Sequence, residues 1–326
     1  MQNDSNQDEV YENLKASRFK QQKLPAWRPV PTIMSTTITF VAFGVIFIVI
    51  GVVVLIYSGK VVEIETRYDN KPDCKIDEDC YVKLEVTKKM EQPVMIYYQL
   101  NNFYQNHRRY VKSKSDSQLN GDYQTLNEIK NSDDCSPVET NQEMEKKFSV
   151  NGKELVPSDV AIPCGLIAKS LFNDTYTLYK SDKTEEIEID QKDIAWEADK
   201  KLKYKNTEKP PEGKTWEDIQ WIDMTDEHFM VWMRPAGLPD FRKLWGRVRK
   251  DLEPGTYYMK VNNRYNVSSF SGEKYLVLST VNAFGGKNAF LGISYVVVGG
   301  ICILLAIVFL VGYQIHQRKE KEIYLL

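Results

Sequence analysis

Histidine is scarce in this chain. Only three occur among 326 residues, His107, His228 and His316, and they lie far apart. No HExxH, GxSxG, Walker A or EF-hand loop is present. These absences leave no recognisable catalytic constellation, and no cofactor or metal is expected. A surplus of charge is lacking too. Forty-three Lys and Arg stand against 45 Asp and Glu, a formal net charge of −2. That balance gives no polyanion-binding signature, so no nucleic-acid partner is expected. No repeat is visible at periods of about 20–50 residues.

The most telling absence is local. Residues 36–58 and 290–313 contain no Asp, Glu, Lys, Arg or His. As helices they would span ~34–36 Å at ~1.5 Å per residue, and the hydrocarbon core of a bilayer needs ~30 Å. A soluble helix is rarely apolar on every face over such a length. Both read as transmembrane helices. The first is too long for a signal peptide, and no small-residue cleavage site follows at Tyr57-Ser58-Gly59-Lys60. The expected organisation is a cytosolic tail over 1–35, helices over 36–58 and 290–313, an exoplasmic or lumenal ectodomain over 59–289, and a cytosolic tail over 314–326.

Flanking cations set the orientation. Lys15, Arg18, Lys20, Lys23 and Arg28 precede the first run, and Arg318, Lys319 and Lys321 follow the second. The inner flanks carry fewer, so the positive-inside rule puts both termini in the cytosol. Two features of the middle segment agree. It holds an even set of cysteines, Cys74, Cys80, Cys135 and Cys164, as an oxidising compartment favours. It also holds the sequons Asn173-Asp174-Thr175 and Asn266-Val267-Ser268. A further sequon at Asn3 falls on the cytosolic side, and Cys302 sits alone within the second run.

Mean hydropathy is −0.43 despite two apolar runs, so the middle segment is strongly polar. Its length, roughly 230 residues, suffices to bury a core. Alternation by two, or β-branched and aromatic enrichment, predicts strands over 62–66, 82–86, 93–100, 174–179, 256–262 and 275–281. These lie at the two ends of the segment. Residues 112–165 and 181–225 read as long loops and short helices. The expected fold is therefore an α+β ectodomain with an antiparallel, sandwich-like β core and long insertions, carried between two transmembrane helices. Four cysteines allow three pairings. Sequence-near closure favours Cys74–Cys80 and Cys135–Cys164.

Two stretches look like sites. Residues 101–110, NNFYQNHRRY, concentrate amides, aromatics and cations. The bland expectation is that Asn101, Asn102 and Asn106 cross-link irregular backbone while Phe103, Tyr104 and Tyr110 pack. The sharper one is a partner-binding surface including Asn101, Asn102, Tyr104, Arg108 and Arg109. Residues 241–250, FRKLWGRVRK, read as an amphipathic helix, with Phe241, Leu244, Trp245 and Val248 on one face. The apolar runs offer only Thr36, Thr37, Thr39, Ser294 and a few Tyr and Gly as polar or small positions. Ion and proton pathways need ionisable or strongly polar groups within the bilayer, so transport by this chain alone is not expected. No GxxxG is present.

Six ordered blocks carry a resemblance. They are QQKLPAWRP (21–29), NNFYQNHRRYVKS (101–113), PCGLIAKSLFNDTY (163–176), IAWEADKKLKYKN (194–206), FMVWMRPAGLPDFRKLWGR (229–247) and LSTVNAFGGKNAFLGISYVVVGG (278–300). Together the chain closely resembles the cell division control protein fifty / ligand-effect modulator three family. The resemblance implies an accessory, non-catalytic β-subunit of a type IV P-type ATPase, a phospholipid flippase. It implies a heterodimer with that catalytic subunit, embedded among membrane lipids. Contacts are expected through the helices, the ectodomain and the flank containing Leu24, Pro25, Trp27 and Arg28. One departure is Arg264-Tyr265-Asn266-Val267, where the family usually has a Tyr-Pro-Val turn and this chain gains a sequon. The rival reading with the same topology is a two-helix ligand-gated channel. Such channels usually carry more ectodomain cysteines and polar pore-lining positions, which this chain lacks. A membrane-anchored ectoenzyme lacks any constellation to support it.

Overall fold

The computed structural model describes residues 31–323, and before them Lys15, Arg18, Phe19 and Gln21; side chains are described as far as Arg318. Two compact units emerge. One comprises residues 1–54 and 290–326, the other residues 55–289.

The terminal unit is a helix pair. The long helices run over Ile33–Lys60 and Ala289–Ile323, a few residues past each apolar run. Both are long and apolar enough to cross a membrane. They are antiparallel and meet at glycines. A Cβ on Gly51 would lie 2.8 Å from the Gly292 carbonyl oxygen, and one on Gly299 would lie 2.8 Å from that of Gly44. Small residues at such crossings let backbones approach where lipid supplies no hydrophobic drive. Phe40 against Phe309 and Phe47 against Tyr295, each with ring centroids 5.8 Å apart, fill the flanks of the seam. The buried Thr37 hydroxyl donates to its own helix at the Ile33 carbonyl, 2.8 Å away, so this hydroxyl is not stranded.

The central unit is built on two four-stranded antiparallel sheets. Its strands are β1 (Glu63–Arg67), β2 (Glu78–Val86), β3 (Val94–Asn101), β4 (Thr175–Lys180), β5 (Glu186–Ile187), β6 (Phe241–Val248), β7 (Gly255–Asn263) and β8 (Glu273–Ser279). One sheet has the order β1-β8-β3-β6 and the other β2-β7-β4-β5. The β1–β8 register runs from Glu63 opposite Ser279 to Arg67 opposite Tyr275, so the first and last strands are neighbours. Inward residues of both sheets alternate with outward ones. Val82, Leu84 and Val86 of β2 join Val94, Ile96, Tyr98 and Leu100 of β3 in one hydrophobic core.

Residues 241–248 are strand, not the amphipathic helix expected from the sequence. Two things disguise the period of two. Trp245 is an extra residue on β6, since Ile96 pairs with Gly246 while Tyr97 pairs with Leu244. And Lys243, in phase with Phe241 and Trp245, points inward. Its ammonium donates to the carbonyls of Val231 (2.9 Å), Trp232 (3.0 Å) and Arg234, satisfying the C-terminal end of the helix Glu227–Met233. Arg242, on the outward face, pairs with Glu63 at 2.8 Å and Glu65 at 2.9 Å.

Several of the short helices in the insertions are fixed by local capping. Thr125 and Thr140 each form a capping box, with Glu128 and Glu143. Asp226 accepts from the N–H groups of His228 (2.6 Å) and Phe229 (3.3 Å) to start the helix Glu227–Met233. Two buried disulfides add to these. Cys74 is bonded to Cys80 and Cys135 to Cys164.

Candidate partner-binding surface

Residues 101–113 leave β3 and turn into the helix Arg108–Lys112. Asn102 takes a left-handed φ of 62°, which asparagine tolerates better than most residues. Its amide donates to the Phe270 carbonyl at 2.7 Å, and its N–H to the Asp240 carboxylate at 2.9 Å. Asn101 donates to Glu273 at 3.3 Å, and Asn106 to the Gly237 carbonyl at 2.9 Å. Gln105, which the sequence did not single out, is fully buried. It accepts from the Ala236 N–H at 2.9 Å and donates to the Tyr110 hydroxyl at 3.2 Å. Phe103 packs among Phe270, Tyr110 and Trp232, with centroids 5.0–5.9 Å away.

So Asn102 and Asn106 do cross-link irregular backbone, and Phe103 and Tyr110 do pack; Asn101, the last residue of β3, instead bonds side chain to side chain with Glu273 of β8. Tyr104 does not. It is 57% exposed, because the neighbours Phe103 and Gln105 claim the interior. Tyr104, His107, Arg108 and Arg109 all face outward from a backbone held at many points.

A groove of about 740 Å³ opens beside the same helix, which lends it Val111. Leu202, Lys203, Tyr204 and Arg234 are among the other residues of its wall. Beneath lies Asp199, 1% exposed, paired with Arg234 and with Lys203 at 3.1 Å. Burial pushes the Asp199 carboxyl up, but the Arg234 hydrogen bond and the Lys203 ammonium beside it outweigh burial and hold it below the usual carboxylate range. The Arg234 guanidinium lies 4.8 Å over the ring of Trp196, itself 66% exposed. Leu202 is 71% exposed. Exposed Trp, Tyr and Arg are the residues enriched in binding hot spots. None of the groove residues was singled out for binding from the sequence, since each alone reads as an ordinary loop residue.

The sequence also missed a buried ion pair. Lys274 and Asp174, 1% and 0% exposed at their side chains, meet at 2.7 Å. Asp174 further accepts from the Tyr68 hydroxyl at 2.7 Å and from the N–H groups of Arg264 and Tyr265 at 2.6 Å. The Tyr265 carbonyl at 2.6 Å and Asn263 complete the Lys274 shell. The signal was available, for Lys274 is in phase with Leu276 and Leu278. Asn173 and Asn266, the sequon residues, are both exposed. Leu24, Pro25, Trp27 and Arg28 lie outside the described residues.

Among the described residues no three His, Cys, Asp or Glu side chains come together as a metal site. His107 is exposed. His228 is half-buried, with Nε2 2.9 Å from Gln191 Oε1 and its ring 5.2 Å from Trp245. Burial holds this imidazole below its usual range, against the opposing pull of Asp226 and Glu227.

The model of the LEM3 (ligand-effect modulator 3) family / CDC50 family matches residues 54–319. The chain belongs to this family. Curated relatives agree over nearly the whole length. ALA-interacting subunit 3 of Arabidopsis thaliana is 43% identical, across 94% of this chain and 87% of the relative. Cell cycle control protein 50A of Mus musculus is 38% identical, across 90% and 87%. Cell cycle control protein 50B of Homo sapiens is 32% identical, across 93% and 94%. In this LEM3/CDC50 member the matched span covers both sheets, both disulfides and the surface around residues 101–113.

Proposed function

We propose that this chain is the non-catalytic accessory subunit of a type IV P-type ATPase. The catalytic partner would hydrolyse ATP and move phospholipid from the exoplasmic to the cytosolic leaflet. The observation that carries the reading is full-length similarity to proteins of one family, including one named as an interacting subunit. The geometry supports it. The helix pair is aliphatic on its outside and carries no ionisable group over 36–58 or 290–313, whereas ion and proton relays within a bilayer need them. The central unit presents Tyr104, Arg108, Arg109 and the groove beside them on backbone that is already rigid, so little ordering entropy opposes docking.

In this reading both termini are cytosolic and residues 59–289 lie on the exoplasmic or lumenal side. The flank around Leu24, Pro25, Trp27 and Arg28 adds a cytosolic contact. The subunit supports export of its partner from the endoplasmic reticulum. It favours particular states of the transport cycle through differential affinity for them. The test is reconstitution of the purified chain alone into liposomes, with the heteromer beside it. ATP-dependent lipid movement is expected from the heteromer only. Lipid movement, or a gated current, from the chain alone contradicts the proposal.

A further inference from the structure

Asn173 stands at the rim of a cleft of about 290 Å³, whose walls include Thr175, Gln191, Ile222, His228 and Trp245. The asparagine is exposed, while Phe172 and Asp174 on either side are buried. Asp174 is anchored by Lys274, Tyr68 and the N–H groups of Arg264 and Tyr265. The backbone that carries the Asn173 amide is therefore fixed, and only the torsions of one short side chain separate that amide from the cleft.

The wall chemistry is specific in kind. The Trp245 and His228 rings, 5.2 Å apart, and Ile222 supply apolar surface. The Gln191 amide and the His228 imidazole, 2.9 Å apart, supply polar groups that both donate and accept. Asp226 adds a carboxylate at the same cleft. A few polar groups converging on an apolar wall are what a small-ligand site offers. A pyranose bearing an acetamido group suits them, with its C–H face on the apolar wall and its amide and hydroxyls toward Gln191, His228 and Asp226.

We propose that the first N-acetylglucosamine joined to Asn173 sits in this cleft as a tethered ligand of the chain's own surface. The tether decides the balance. A short covalent link raises the effective concentration to about the millimolar range or above, so contacts too weak to capture a free sugar suffice to seat this one. The glycan is then part of the packing between β4, β6 and the helix Glu227–Met233. The inference rests on the lumenal placement of residues 59–289.

The test uses the full chain with its partner, purified in mild detergent from a host that adds high-mannose glycans. Peptide masses report occupancy at Asn173. Endoglycosidase H then trims every glycan to one N-acetylglucosamine, and thermal melting is compared for the trimmed chain and trimmed Asn173→Gln. The single remaining sugar should keep the melting temperature of the untrimmed protein, with Asn173→Gln lower by about 2–4 °C. In Gln191→Ala and His228→Ala backgrounds that gap should shrink to half or less. Gln191 is exposed, so its variant folds even if His228→Ala does not. A gap that is absent, that persists undiminished in the cleft variants, or that trimming alone abolishes overturns the proposal. An unmodified Asn173 peptide overturns the proposal, and unmodified Asn173 and Asn266 peptides together overturn the lumenal placement beneath it as well.

Discussion

Lys274 carries an ammonium into the interior, and Asp174 answers it at 2.7 Å. The two ends of the pair are not equally dependent on each other. Without Lys274, the Asp174 carboxylate would keep three donors, the Tyr68 hydroxyl and two backbone N–H groups. Without Asp174, the ammonium would keep two neutral acceptors and lose its only counterion in the shell. Removing one partner of a buried pair costs about 3–5 kcal/mol when the survivor is stranded. Asp174→Asn is therefore expected to cost about that much, and Lys274→Met clearly less. Asp174→Asn leaves the Asn173 sequon intact, so glycosylation is not a confounder. Thermal melting of the full chain in detergent checks the order, and equal losses would contradict it. A second residue-scale expectation concerns the outward cluster. Replacing Tyr104, Arg108 and Arg109 together with alanine removes no buried contact and should leave the melting temperature within about 1–2 °C. Recovery of the partner on a tagged chain should fall several-fold. Unchanged recovery would remove this cluster from the interface.

At the level of elements, the strands were legible because six of them keep a plain period of two or a β-branched and aromatic run, and the long helices because nothing else is apolar for so long. β6 was not legible, since the inward Lys243 and the bulge at Trp245 together imitate a helical spacing. Neither fact can be seen without the partner strand β3 and the carbonyls that Lys243 satisfies. The two-residue strand β5 is too short to carry a period. Among the glycines of the apolar runs, Gly44, Gly51 and Gly299 serve the internal helix crossing. Gly300 meets nothing within 4 Å. Gly51→Leu and Gly299→Leu should therefore force the helices apart and lower the yield and stability of the isolated chain. Gly300→Leu should leave both unchanged. Size-exclusion profiles and melting curves in detergent read this out, and a tolerated Gly51→Leu would contradict the crossing.

Across the whole molecule, the sequence carried the architecture further than the site. Apolar runs, sequons, even cysteines and six family-like blocks led to a two-helix protein with a disulfide-bearing β domain. The groove beside Arg108–Lys112 was hidden, because Val111, Leu202, Lys203 and Arg234 are separated by up to about 120 residues and only the fold collects them. Asp174 and Lys274, 100 residues apart in the chain, are likewise paired only by the fold, although the inward phase of Lys274 with Leu276 and Leu278 was visible in the sequence. What unites these features is a rigid surface on a chain whose apolar runs, 36–58 and 290–313, carry no ionisable residue. The most direct measurement is affinity purification of the tagged full chain from its native membranes in mild detergent, with mass spectrometry of whatever elutes in stoichiometric amount. The account predicts a type IV P-type ATPase at one copy per chain. Elution as a homo-oligomer, with no ATPase chain present, would contradict it.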